Sequence, residues 1–329
     1  MRNPDRSSRW MPTRREALTV GIGVFVAAVP FARRHPFSVV RRHVLVMGTV
    51  AECAVAHRDP DYAYAAIDAA VGALRYVDQT MTRFDAASDV GRANANAATT
   101  AVAVTDDTAA VLDEGLWWAE ASGGAFDPCL AQATTLWDVT HRHVPPPDAD
   151  VARLANRRLF RSLEVTGQAG RHEVVFHDPD LGIDLGGIAK GYGVDRAVAA
   201  LRDRGIEHAL VGAGGDLYAL GRSPGGEPWR VGIRSPDDPD GLAGTLEAEN
   251  SAIATSGDYV QFFLHGGRRY HHLLDPATGE PRRTAQHSVT IRAESCMAAD
   301  AAATTVFGMS RPAADQLLAR RGARLEHVV

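Results

Sequence analysis

Apolar and polar positions follow two periods along this chain, one near two residues and one near three and a half, and the switches between them mark its elements. From Val44 to His57 the alternation predicts one or two strands with Met47-Gly48-Thr49 in the middle. Asp61 to Met81 places Ile67, Val71, Leu74 and Val77 at near-helical spacing and predicts an amphipathic helix. Thr82-Arg83-Phe84-Asp85 and Ser88 to Asn94 then read as a polar loop or short turn. A second helix is expected from Thr105, an N-cap followed by Asp106 and Asp107, to the stop at Gly123-Gly124. Consecutive prolines between His141 and Asp150 mark a surface loop, and short strands are expected over Leu159 to Val165 and Glu173 to His177.

The second half opens on an apolar run, read as a strand, that reaches Gly186-Gly187. It continues as a helix through Leu201, closed by Gly205. Strands are expected at His208 to Val211, Leu217 to Leu220, Trp229 to Ile233 and Thr245 to Ala254. Gln261 to Leu264 and Arg268 to Leu274 form a hairpin about Gly266-Gly267, and Ser288 to Ala293 is a further strand. Helices over Ser295 to Met309 and Ala313 to Arg320 precede a short C-terminal strand. Hairpin-length loops with helices between them indicate a mixed α/β (α+β) fold with largely antiparallel strands, not a doubly wound sheet.

Composition narrows the class. The chain has 329 residues, 45% hydrophobic and 23% charged, enough for a large core. A formal net charge of -5 argues against a general nucleic-acid binder. Cys53, Cys129 and Cys296 lack metal-type spacing, and read as small buried apolar residues. Residues 1–34 look like a targeting segment: basic residues, the pair Arg14-Arg15, then an apolar run from Ala17 to Ala32, shorter than the roughly 20 residues of a bilayer span. That pattern fits a twin-arginine signal peptide, or an N-terminal anchor. It implies export to the outer face of the cytoplasmic membrane, the periplasm or the cell envelope, with membrane association through the N-terminus. Residues 44–329 would form the functional domain.

The chemistry gathers in a few places. Gly186-Gly187 lets backbone approach a ligand, a new helix presents N–H groups, and Lys190 adds a positive charge within one turn, which suits a phosphorylated ligand. The stretch is neither a Walker loop nor a G-x-G-x-x-G motif. Asp300 and Thr304 share one face of an alanine-rich helix and offer oxygen ligands to a hard cation. Amid small apolar neighbours, the Asp300 carboxylate must be exposed, paired or coordinated. His272, before Leu273-Leu274-Asp275-Pro276, could take a proton from a hydroxyl nucleophile.

Taken in order, Met47-Gly48-Thr49, Gly124 to Pro128, Asp184 to Tyr192, Ala254 to Tyr259, His272 to Gly279 and Ala299 to Thr304 resemble the signatures of FAD:protein FMN transferases, the ApbE family. The resemblance spans roughly Met47 to Met309. It implies an enzyme that uses Mg²⁺ (or Mn²⁺) and FAD, joins FMN through a phosphoester to a Thr or Ser of an acceptor flavoprotein, and releases AMP. By position it implies Asp300, Thr304 and the Gly187 carbonyl as metal ligands and His272 as the base. It also implies FAD contacts from Met47, Thr82, Phe84, Ala125, Phe126, Asp127, Asp184, Lys190 and Leu274. Cys129 stands where a hydroxyl residue is usual, no lipobox cysteine follows the leader, and His271 beside His272 leaves two rings for one role. An FAD pyrophosphatase and a flavin carrier without turnover are the alternatives.

Overall fold

The structure is a computed structural model that describes residues 37–238 and 240–329; the leader expected over 1–34 lies outside the described residues. In chain order the strands and helices are β1 (Ser38–Val46), β2 (Thr49–His57), α1 (Pro60–Met81), α2 (Asp89–Asn96), β3 (Val102–Val104), α3 (Asp106–Ala121), α4 (Ala131–Trp137) and α5 (Asp148–Leu154). A 3-10 turn (Leu159–Ser162) leads to β4 (Leu163–Gln168), β5 (Arg171–Phe176), α6 (Ala189–Arg202), β6 (Ala209–Ala213), β7 (Asp216–Leu220) and β8 (Trp229–Arg234). The remainder is β9 (Leu242–Ala248), β10 (Ser251–Gly257), β11 (Phe262–His265), β12 (Arg268–His271), β13 (Ser288–Ala293), α7 (Cys296–Val306), α8 (Arg311–Ala319) and β14 (Arg324–Val328).

Seven strands form the main sheet in the order β1-β2-β6-β7-β10-β13-β14, with antiparallel neighbours throughout. The fold is therefore mixed α/β with antiparallel sheets, as the loop lengths required. One face of the sheet is covered by helices: α1 packs on α6, α6 on α7, and α7 on β10 and β13. Residues of the opposite parity, among them Leu210, Leu217, Ala219 and Ile253, face the β8–β9 hairpin through Trp229 and Val231. A smaller core of Trp137, Val139, Val151, Leu154, Phe263 and Leu274 lies beneath the β11–β12 hairpin, where Tyr270 stacks between Phe263 and Trp137. It supports the loop that carries His272.

Some elements depart from the sequence expectation, each for a local reason. The polar stretch Ser88 to Asn94 is helix α2, because Ser88 caps Gly91 and Asp89 gathers Thr105, Thr108 and Arg92. The apolar run before Gly186 forms only an isolated parallel bridge, Leu130 with Gly182, instead of a strand. The strand expected over Thr245 to Ala254 is two, β9 and β10, separated at Asn250, whose left-handed φ of 45° reverses the chain. The 3-10 turn takes the start of the strand expected from Leu159, and β3 was not signalled by so short an alternation. All three cysteines are free and buried.

Candidate active site

Two helices bring the chemistry together, and a glycine sets how close they come. A Cβ on Gly191 would lie 2.2 Å from the Cys296 carbonyl oxygen, so α6 and α7 touch backbone to backbone there. Asp195, one turn further along α6, accepts from the Cys296 and Met297 amides at 2.7 and 2.8 Å and caps the start of α7. Burial pushes its pKa up to about 6 against those bonds. The helix crossing places Lys190 opposite Asp300.

Asp300 is 2% exposed and bonded on both oxygens. Lys190 Nζ donates to Oδ1 and Oδ2 at 3.1 and 3.0 Å, and the Gly191 amide donates to Oδ2 at 3.0 Å. The helix N–H at Gly191 thus points to a protein carboxylate. Lys190 Nζ also donates to the Gly186 carbonyl at 3.3 Å and lies 2.9 Å from Asp216 Oδ2. Asp216 is 2% exposed, and the Lys190 ammonium is the close partner of its Oδ2. Burial, then the charge of Asp300, raises the Asp216 pKa, and the paired carboxylates raise that of Lys190 against its own desolvation. The raised pKa of Asp216 favours its protonated form, in which the buried trio is neutral; ionising Asp216 adds one negative charge.

Thr304 faces the glycine turn. A Cβ on Gly187 would stand 3.2 Å from Thr304 Oγ1 and 3.3 Å from the Phe126 ring, so the turn and these side chains approach closely. Thr304 Oγ1 contacts Ser256 Oγ at 3.4 Å, whereas the neighbouring Thr305 hydroxyl bonds back to the Ala301 carbonyl of its own helix. The donor set of carboxylate, hydroxyl and backbone carbonyl is all oxygen, and the buried Asp216 carboxyl lies beside it. These residues fit a hard divalent cation. Among the described residues no group of three or more His, Cys, Asp and Glu side chains could hold a metal; a set such as this one draws on few of those residue types.

The two adjacent histidines differ. His271 is buried with both nitrogens engaged: Nε2 donates to the Arg282 carbonyl at 3.0 Å and Nδ1 accepts from the Leu273 amide at 3.3 Å. His272 is half-buried and contacts only the Gln261 carbonyl, through Nδ1 at 3.4 Å. A carbonyl can only accept, so Nδ1 carries the proton and Nε2 keeps its lone pair. Desolvation, then His271, pushes the His272 pKa down to about 4, which leaves the ring neutral at physiological pH.

The other sequence-predicted residues occupy surrounding segments. Asp184 accepts from the Gly186 amide at 2.9 Å, from Thr134 Oγ1 at 2.7 Å, and pairs with Arg83 Nε at 3.1 Å, so it braces the glycine turn against α4 and the loop after α1. Thr82 ends α1; Phe84 is 83% exposed, with the Arg83 guanidinium 4.3 Å from its ring centroid. Met47 holds a left-handed φ of 55°, donates its amide to Asp78, and packs beside Gly193. Phe126 and Leu274 are buried, and Ala125 is half-buried. Asp127 points inward: its oxygens accept from the Cys129 and Phe160 amides at 2.8 and 3.4 Å, and burial pushes its pKa up to about 6. Thr134 and Asp216 are additions to the expected set. A separate depression of about 640 Å³ beside Tyr76, Arg92 and Asp107 shares no residue with this cluster.

A sequence profile described as the ApbE family matches residues 47–329. An FAD:protein FMN transferase of Treponema pallidum (strain Nichols) is 34% identical over 283 residues, covering 81% of this chain and 77% of that protein. Among solved structures, the ApbE protein of Thermotoga maritima superposes with a TM-score of 0.79 at 28% identity, covering 89% of this chain and 96% of that one. The flavin transferase ApbE of Vibrio cholerae superposes with a TM-score of 0.75 at 28% identity, covering 88% and 93%.

Proposed function

This chain belongs to the ApbE family and is an FAD:protein FMN transferase, and we propose that it works with Mg²⁺, joins FMN to a Thr or Ser hydroxyl of its acceptor flavoprotein, and releases AMP. The hydroxyl oxygen attacks the phosphorus on the riboflavin side of the FAD diphosphate. A new P–O ester bond forms as the bond to the bridging oxygen breaks, and AMP leaves with that oxygen. The hydroxyl proton passes to His272 Nε2, the nitrogen left free by the Gln261 contact.

The observation that carries this reading is the buried cluster of Lys190, Asp216 and Asp300 beside Thr304 and Gly187. A divalent cation here would favour the ionised form of Asp216 and add the positive charge that attracts a diphosphate. Asp300, the Thr304 hydroxyl and the Gly187 carbonyl would hold the ion. When bound, Mg²⁺ would neutralise charge on the diphosphate oxygens; Mn²⁺ could serve through the same ligands. Lys190 would steady the leaving side. Phe126, Ala125, Leu274, Met47, Thr82 and Phe84 would border the flavin. Asp184 and Asp127, whose oxygens are engaged within the protein, would contribute by shaping the loops around FAD.

Metal removal tests this reading. Enzyme stripped with EDTA should not flavinylate an acceptor peptide until Mg²⁺ is restored, and Asp300→Ala should stay inactive at any Mg²⁺ concentration. Full activity of either would refute the cation assignment. The leader is proposed as a twin-arginine export signal, supported by Arg14-Arg15 and the apolar run after them. Unchanged export of an Arg14→Lys, Arg15→Lys chain would refute it.

A further inference from the structure

Five carbonyl groups from three segments converge on one side chain outside the set assigned above. Arg282 Nε donates to the Leu274 carbonyl at 3.1 Å; Nη1 donates to Thr304, Thr305 and Phe307 at 3.0, 3.0 and 2.6 Å; Nη2 donates to Ala125. The carbonyls of a last helical turn have no partners within their helix, so this guanidinium closes α7 with hydrogen bonds and with charge of the favourable sign. Among the described residues no carboxylate bonds to it. Desolvation pushes its pKa down to about 10, with the charge of Asp275 opposing. Holding a desolvated cation on neutral carbonyls is costly unless every donor is placed, and here the fork of Arg places them.

The main chain of the same residue reaches the other half of the site. The Arg282 amide donates to the Leu273 carbonyl at 2.9 Å, and its carbonyl accepts from His271 Nε2 at 3.0 Å. Both neighbours of His272 are therefore fastened to Arg282. Arg283, next in the chain, is exposed and pairs only with Glu280.

We propose that Arg282 is a positioning residue for the transfer: it locks the loop that carries His272 to the helix that carries Asp300 and Thr304 and to the turn before Phe126. The base and the phosphate end are thereby held in one register. The proposal rests on the assignment of His272 as base and of α7 as the phosphate end. A displacement of about 1 Å in such a register can lower a rate by roughly 10²-fold.

The test is a double-mutant cycle on the full chain, with FAD and Mg²⁺ saturating and an acceptor peptide bearing Thr. Arg282→Met should lower kcat at least about tenfold while KM for FAD stays within about threefold, and Arg283→Met should match the unmutated enzyme. In a His272→Ala background the Arg282→Met loss should shrink to less than about threefold, because the base it positions is gone. An undiminished loss in that background would overturn the proposal, as would a raised KM or lowered Tm with kcat intact. Should Arg282→Met fail to fold, Arg282→Lys carries the same cycle, since one ammonium cannot serve five carbonyls. Wild-type kcat in Arg282→Lys would also overturn it. If His272→Ala alone leaves kcat unchanged, the base assignment fails first and the positioning role falls with it.

Discussion

Lys190 is the only lysine in the sequence; every other basic side chain among the 35 is arginine. Its place explains why arginine has not replaced it. Asp216, Asp300 and the Gly186 carbonyl close on one nitrogen at 2.9 to 3.3 Å, which suits a compact ammonium better than a planar fork. Lys190→Arg should therefore lower transfer at least about tenfold in a peptide flavinylation assay, although formal charge is kept; near wild-type turnover would mean that charge alone matters. His272 gives the pH prediction. A base must be unprotonated, and a pKa lowered to about 4 keeps it so above that value. Activity measured as kcat/KM should fall only as pH drops toward 4, well below the 6.5 of an ordinary imidazole. A limb at 6.5 that disappears in His272→Ala would contradict the neutral ring.

At this scale the sequence identified the residues that bear unusual chemistry for their surroundings: an acid in an alanine run, a lysine after paired glycines. It missed Asp216, because Gly214-Gly215-Asp216 reads as an ordinary turn into a strand. The available signal was that every residue of β7 is apolar or aromatic except the acid at its start, and all are buried. Nor could spacing separate His271 from His272; the distinction lies in which ring finds backbone partners, and those come from Arg282 and Gln261, each 11 residues away.

Among elements, the crossing of α6 and α7 matters most. Gly191→Ala would place a Cβ against the Cys296 carbonyl and push the helices apart, and overpacking of this kind costs about 1–3 kcal/mol. A urea melt should show that loss, and transfer should fall with it, because the same shift draws Thr304 from Gly187. A variant as stable and active as the parent would show that backbone contact is not required. Helix periods were legible where a cap and an apolar stripe agreed, as at Thr105 and over Ile67 to Val77. Helix α2 was not: it has the local Ser88 cap but no long apolar stripe, and Asp89 binding Thr105 and Thr108 is a tertiary contact. The glycine turn kept its position but lost its expected strand: Asp184 and Asn94 hold that segment through side chains instead of a ladder.

Across the whole molecule, the antiparallel α+β architecture was readable because hairpin-length connections cannot build a parallel sheet. Strand order was not, since β10 and β13 become neighbours across the separate β11–β12 hairpin. That excursion delivers His272 to a site otherwise made by helices and the glycine turn. No helix among the described residues is long and apolar enough to cross a membrane. The central claim, that an acceptor hydroxyl and not water receives FMN, is tested most directly by mass spectrometry of a Thr-bearing acceptor peptide incubated with the enzyme, FAD and Mg²⁺, with AMP quantified alongside. The account predicts one FMN phosphoryl unit esterified to that Thr for each AMP released. Free FMN and AMP accumulating beside unmodified peptide would contradict it.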